Sequence, residues 1–298
     1  MDKKNFSIHH FAQILEPISS FSRFIKCFDF SKTDFQTVIF CYHSISKYRD
    51  MTKNFYYTIS PELFNDQMKF LYDNNFNVIN LSEWFQLCTN NNESLKNSVI
   101  ITFDDGYADS FHYAYPILKK HGFSATFFLI CNFINSQTIF PWLQEPKFPN
   151  NENLPLSSEQ IIQMDQDGMD FGSHSLSHTD LTRISKKKAQ EEIRGSKEYL
   201  EDLLGHDIIS FSYPYGSWSN FNSSTKEMVK MTGYKLAVTS IYGSNALHSD
   251  LFSLKRFPVY ADDNINKFHM KCEGYYSWLG SFQKLMSYVS RLLLKHSS

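Results

Sequence analysis

Short runs dense in β-branched and aromatic residues alternate along this chain with stretches of helical spacing, and that alternation restricts the fold more than any other feature. "TVIFCYH", "SVIITFDDG", "SATFFLI", "MDFGSH", "IISFSYPYG" and "YKLAVTS" are the strand candidates. Between them, "SPELFNDQMKFLYDNN", "YADSFHYAYPILKKHG" and "SKKKAQEEIRGSKEYLEDLLG" read as helices. In the last of these Ser185 is placed as N-cap, Ala189, Ile193, Leu200 and Leu203 share one face, and Gly205 is the stop. Strands alternating with helices imply an α/β chain with a parallel sheet, open or closed into a barrel. No repeat, low-complexity linker or boundary interrupts the pattern between Phe35 and Asp263.

Parallel α/β folds collect their chemistry at the C-terminal ends of the strands. The first strand ends in His43, the second in Asp104 and Asp105, the fourth in His174, and the fifth in a Pro-Tyr-Gly turn containing Tyr215. Two adjacent carboxylates repel, and a cation or a proton compensates them, although "DDG" is also an ordinary turn sequence. In "FGSHSLSHTDL", His174 and His178 stand four apart and can meet one cation. With Asp105 they form a two-histidine, one-carboxylate set, which leaves coordination positions for water and substrate. One aspartate then binds metal while the other takes the proton of an attacking water, and a backbone N–H near Tyr215 is a candidate donor to the resulting oxyanion.

Bulk properties point away from several other classes. The 298 residues carry a formal net charge of −2 with signs intermixed, so no nucleic-acid footprint is written into them. The five cysteines are scattered, without a C-x-x-C pair, and read as free thiols of a reducing compartment. The N-terminus lacks the apolar core and cleavage site of a secretory signal, and no run of about 18 apolar residues is present to span a bilayer. A cytoplasmic protein is the expectation.

"TFDDGYADS", "GSHSLSHTDLT" and "FSYPYG", in this order, resemble the first three motifs of the polysaccharide deacetylases, the NodB-like carbohydrate esterases of family 4. The resemblance extends to "VIFCYHSI" upstream and "LFSLKRFPVY" downstream, and is similar in particular to the poly-N-acetylglucosamine deacetylase branch. It implies a distorted (β/α) barrel over residues 36–263 that hydrolyses N-acetyl groups from an N-acetylated glycan with a divalent metal. It further implies Asp104 as base, Asp105, His174 and His178 as metal ligands, and the Tyr215 amide as oxyanion donor. Zinc is the usual expectation for such a set, with cobalt and nickel compatible.

Two motifs depart from that pattern. The arginine that usually precedes the Pro-Tyr of the third motif is missing, and Arg256 in "LKRFPV" is the candidate to supply its charge. The late Leu-x-His motif that provides the general acid is also absent; His43 is the leading replacement, ahead of His269 and His248. The insert "CNFINSQTIFPWLQEPKFPN" reads as a loop over the site whose Phe140 and Trp142 would stack on sugar faces. Competing readings are a catalytically silent glycan-binding barrel and a magnesium-dependent phosphotransfer enzyme, the latter disfavoured by the two imidazoles.

Residues 1–35 read as an N-terminal extension and 264–298 as a C-terminal amphipathic helical segment. In the latter Trp278, Leu279, Phe282, Leu285, Met286, Val289 and Leu292 recur at helical spacing beside Lys284, Arg291 and Lys295. Such a helix packs on the barrel or on a second subunit, or anchors the protein peripherally at the inner face of the membrane.

Overall fold

A computed structural model describes residues 36–48, 55–90, 95, 98–143 and 152–295; the expected extension 1–35 lies outside the described residues. Its central strands are β1 (Gln36–Tyr42), β5 (Ser98–Phe103), β6 (Thr126–Leu129), β7 (Asp170–Ser173), β8 (Ser210–Ser212) and β9 (Leu236–Val238), adjacent in that order and mutually parallel. Short strands complete the frame. β2 (Ser44–Ile45) pairs with β3 (Thr58–Ile59), β4 (Asn77–Ile79) with β5, and β10 (Asn245–Ala246) runs antiparallel to β1. The ring is drawn closed by the segment leading into β11 (Phe257–Pro258). Leu254 bridges Val238 on β9, and Phe257 pairs with Phe40 on β1. The parallel strands therefore curl into a distorted (β/α) barrel, as the family resemblance implies, while the alternation of elements leaves an open sheet equally possible.

Burial on both faces explains why these strands read as continuous apolar runs. All six residues of β5 are buried, and Phe103 stacks on Phe127 at 4.7 Å between ring centroids. Each fully buried ring of this kind contributes roughly 1.5–3 kcal/mol through the area removed from water.

The outer helices start and stop where their caps dictate. Ser60 accepts from Leu63 N at 3.2 Å to open α1 (Pro61–Asp73), with Pro61 in the first turn where its missing N–H costs nothing. α2 (Leu81–Thr89) is capped by Asn80, and α3 (Tyr115–His121) continues a wide π turn over Ser110–Ala114. Ser157 and Gln160 form a capping box on α4 (Ser158–Gln166). α5 (Lys186–Leu204) begins at Ser185 and ends at Gly205, whose φ of 76° is the left-handed stop that glycine tolerates. α6 (Ser223–Met231) follows β8.

Packing continues past residue 263. On α7 (Ile265–Cys272), Phe268 stacks on Phe40 at 4.5 Å, and Lys271 Nζ donates to Pro258 O at 2.8 Å while pairing with Asp263. α8 (Trp278–Lys295) is divided. In its first turns Leu279 is buried and Gln283 Oε1 accepts from Tyr242 N at 2.8 Å, whereas Leu285, Met286 and Tyr288 are exposed. Among the described side chains, the predicted apolar face packs at Leu279 and is exposed at Leu285 and Met286. Among the described residues, no helix is long and apolar enough to cross a membrane.

Candidate active site

β5 ends at Phe103, and the next two residues leave the strand in opposite ways. Asp104 still donates its N–H to Tyr42 O at 2.9 Å, as a strand residue would. Asp105 turns into the left-handed region with φ 73° and Gly106 follows at 84°. A side chain on Gly106 would meet Leu129 Cδ2 at 2.8 Å, so the turn can press against β6 only with glycine there. The turn is held from outside by the segment after the insert: Leu156 N donates to Gly106 O at 2.9 Å and Ala108 N to Leu154 O at 2.8 Å.

Asp104 is surrounded by donors. The guanidinium of Arg256, fully buried, reaches both of its oxygens at 2.7 and 2.6 Å, and Ser212 Oγ and Cys41 Sγ lie at 3.4 and 3.6 Å from Oδ2. Arg256 is itself fixed by Thr239 O at 2.8 Å and Thr102 Oγ1 at 3.0 Å. Burial alone would raise the Asp104 carboxyl, but the adjacent Arg256 charge, with smaller help from His174 and His43, holds it well below the usual carboxylate range. It is ionised at any ordinary pH.

Asp105 has the reverse surroundings. Its Oδ1 is buried without a hydrogen-bond partner among the described residues, 3.6 Å from His174 Nε2 and 3.7 Å from His178 Nε2. Burial, and then the negative charge of Asp104, push its carboxyl well above the normal range. Burial lowers both imidazoles, His178 to about 3, so these contacts are not ion pairs. His174 Nδ1 donates to the carbonyl of Ser212 at 2.8 Å, which leaves the Nε2 lone pair facing Asp105. His178 reaches the same place from a left-handed turn with φ 59°, its N–H bonded to Ser175 Oγ at 3.0 Å.

One ligand atom from each of Asp105, His174 and His178 lies within 4.8 Å of the others. A buried carboxylate oxygen without a donor, facing two neutral imidazole nitrogens, fits a divalent cation, and the nitrogen and oxygen donors suit zinc, cobalt or nickel better than magnesium.

The remaining predicted residues lie as follows. Tyr215 has φ 63°, its side chain is largely exposed, and its ring stands 4.7 Å from that of His178; no acceptor takes its N–H among the described residues. His43 follows β1 and groups with Cys41 and Asp104, ligand atoms again within 4.8 Å. Its ring packs at 4.8 Å on Tyr57, its Nδ1 has no partner, and burial pushes it down to about 4. His269 lies on α7 beside Phe70 and Glu273, and His248 is exposed; neither joins the cluster. Phe140, expected to meet substrate, is instead fully buried against Tyr107 and Ile130, because its apolar ring completes a small core under the loop. Trp142 does reach the site, 5.1 Å from the His178 ring, with its indole N–H on Tyr107 Oη at 2.7 Å. Sequence reasoning did not name Cys41, Ser212 or Tyr57. For Cys41 the signal was available, since strand alternation puts it on the same face as His43.

Residues 91–237 match the polysaccharide deacetylase family. YxkH of Bacillus subtilis strain 168, whose name places it in that family, is 29% identical over 221 residues, covering 74% of this chain and 70% of its own. The poly-beta-1,6-N-acetyl-D-glucosamine N-deacetylase of Staphylococcus epidermidis is 30% identical over 169 residues, and the chain spans only 54% of that relative's length. Among solved structures, the Streptococcus pyogenes deacetylase PplD in complex with acetate superposes with a TM-score of 0.69 at 26% identity, covering 80% of this chain and 99% of its own. IcaB from Ammonifex degensii, at 20% identity and a TM-score of 0.66, shares the fold over 81% of this chain and 97% of its own. The ordered motifs, the grouping of their side chains at one end of the barrel, and the match itself place residues 91–237 in the polysaccharide deacetylase family.

Proposed function

We propose that this protein hydrolyses the acetamide of an N-acetylated glycan, releasing acetate and leaving a free amine on the sugar. The observation that supports this reading is the contrast between the donor-saturated Asp104 and the partnerless Asp105 oxygen that faces two neutral imidazoles. Asp105, His174 and His178 would hold a divalent cation, zinc being the first expectation, which supplies polarisation of the carbonyl and acidification of water. A carboxylate held as low as Asp104 is a weak base, so the water whose proton it takes would have to be acidified first and the proton passed on as it arrives. Asp104 takes the proton as the water oxygen adds to the carbonyl carbon, and the Tyr215 N–H faces the oxyanion. Because His43 is neutral at rest, its proton comes from Asp104, its neighbour in the Cys41–His43–Asp104 group. Transfer from a strongly acidic carboxyl to an imidazole runs downhill, and His43 then protonates the amine as the C–N bond breaks. Trp142 and Tyr215, flanking His178, supply flat surfaces for a sugar ring.

The name of the Staphylococcus epidermidis relative makes a β-1,6-linked N-acetylglucosamine polymer the first substrate to try, before lipid-linked glycans and lipopolysaccharide precursors. Acetate release against such a panel, with chelated and metal-restored protein, is the test. Turnover that disappears on chelation and returns with zinc, cobalt or nickel is expected. Stoichiometric metal with no acetate from any N-acetylated glycan would leave a silent glycan-binding barrel instead. For location we propose the cytoplasmic side, with the exposed Leu285, Met286 and Tyr288 of α8 meeting anionic lipid. Co-sedimentation of full-length protein with anionic but not neutral vesicles, lost on Leu285→Glu/Met286→Glu, is the expected result, and unchanged binding would remove the idea.

A further inference from the structure

A few residues beyond Asp105, the chain carries a second group of buried oxygens that the proposed reaction does not use. Asp109 is 2% exposed, Ser110 1% and Glu152 3%. Asp109 Oδ2 accepts from Ser44 Oγ at 2.5 Å, and Glu152 Oε1 accepts from the Tyr113 hydroxyl at 2.8 Å. The Ile45 N–H and the Ser110 hydroxyl also lie against the Asp109 carboxylate. Among the described residues, Asp109 Oδ1, Glu152 Oε2 and the Ser110 hydroxyl oxygen are buried without a close, well-aligned hydrogen bond. Asp109 N also donates to Glu152 O at 2.8 Å, so the two residues meet along the backbone as well. Lys47 does not pair with either carboxylate; its Nζ lies 5.7 Å from the centroid of the Tyr113 ring.

Two carboxylates with bare oxygens, removed from water, cannot both remain ionised without a cation between them. All the donors here are oxygens, with no imidazole or thiol, which selects a hard ion. Calcium accepts an irregular oxygen shell completed by water, whereas magnesium demands a near-ideal octahedron. We propose that Asp109, Glu152 and Ser110 form a second cation site, for Ca2+, sharing no residue with the Asp105–His174–His178 group. An ion there fastens the Glu152–Leu156 segment onto the turn that presents Asp105, beside the backbone bonds that already join them. This inference does not rest on the deacetylase reading.

The test uses full-length protein carrying His174→Ala and His178→Ala, stripped with chelator and titrated calorimetrically with CaCl2 or MgCl2. One equivalent of Ca2+ bound more tightly than Mg2+, with a higher melting temperature, is expected. Adding Glu152→Gln or the milder Ser110→Ala to that background should weaken Ca2+ on the order of tenfold or more through the lost ligand. Circular dichroism establishes that each variant is folded. No Ca2+ binding, or binding unchanged by both substitutions, overturns the site. Asp109 would then hold a proton in place of the ion. Burial pushes Asp109 up to about 8 from 3.8, so in that case stability falls as pH rises between those values, whatever the Ca2+ concentration.

Discussion

Asp104 and Asp105 are neighbours in sequence and equally buried, yet one half of the site is crowded with donors and the other is bare. On the Asp104 side, Arg256, Ser212 and Cys41 all converge on one carboxylate. On the Asp105 side, an oxygen and two imidazole nitrogens stand about as far apart as three ligands of one ion, and among the described residues no hydrogen bond reaches that oxygen. Adjacent residues acquire opposite chemistry because the backbone turns between them, sending one side chain under the barrel mouth and the other toward β7. Where the fold supplies the charge, the group is ready as it stands; where it does not, a cation must come from outside.

Breaking the bare side should have the largest effect. Asp105→Ala, His174→Ala or His178→Ala should each strip the bound metal and take acetate release to background. Asp104→Asn should keep the metal and still lose on the order of 10²–10⁴ in kcat, the loss expected for a positioned base. Elemental analysis beside kinetics separates the two, and equal metal loss in Asp104→Asn would erase the contrast.

Arg256→Met strikes the crowded side and leaves a buried carboxylate unpaired, so roughly 3–5 kcal/mol of stability should go, read by urea unfolding. In the wild type the depressed Asp104 contributes stability above the ordinary carboxylate pKa, and that contribution is lost as pH falls toward its native value. The variant lacks it, and the acidic limb of its pH–rate profile should move to higher pH. An unmoved limb would show that Arg256 does not set the base.

His43→Ala should lower the rate by on the order of 10²-fold with metal content unchanged, because only proton delivery to the amine is removed. The smallest effect belongs to Ser212→Ala. It removes one weak donor from Asp104 but keeps the carbonyl that orients His174, so the rate should change by less than about tenfold, with an upward shift of the acidic limb smaller than that of Arg256→Met. Lost metal in Ser212→Ala would mean that the two halves are not separable.

Much of the site was legible because polar residues that end apolar runs are conspicuous. His43, Asp104, Asp105 and His174 each follow a strand, and parallel topology sends those ends to one mouth. Arg256 was readable only as a spare charge near another strand end; its bidentate contact needed the closure of the ring. Ser212 was not legible as a donor, since a small neutral residue in a strand carries no mark of what it faces, whereas alternation with His43 could have put Cys41 on the site's face. Phe140 and Trp142, two residues apart in one aromatic insert, went to different fates, core and site, because the loop's path decides which ring is covered. The partnerless oxygens of Asp109 and Glu152 are a property of juxtaposition across 43 positions of chain, which periodicity does not register.

The closing segment from Leu254 to Pro258 has a consequence for biosynthesis. It carries the cation that fixes Asp104, 152 positions after the aspartate itself. As the chain leaves the ribosome, Asp104, Asp105, His174 and His178 are all made while Arg256 is still unsynthesised. Burying the Asp104 carboxylate without its counter-charge is costly, so its burial is expected to follow docking of the late segment, which the time course of Asp104 protection during refolding would check. A chain clipped before Arg256 would therefore carry Asp105, His174 and His178 without the cation that pairs with Asp104.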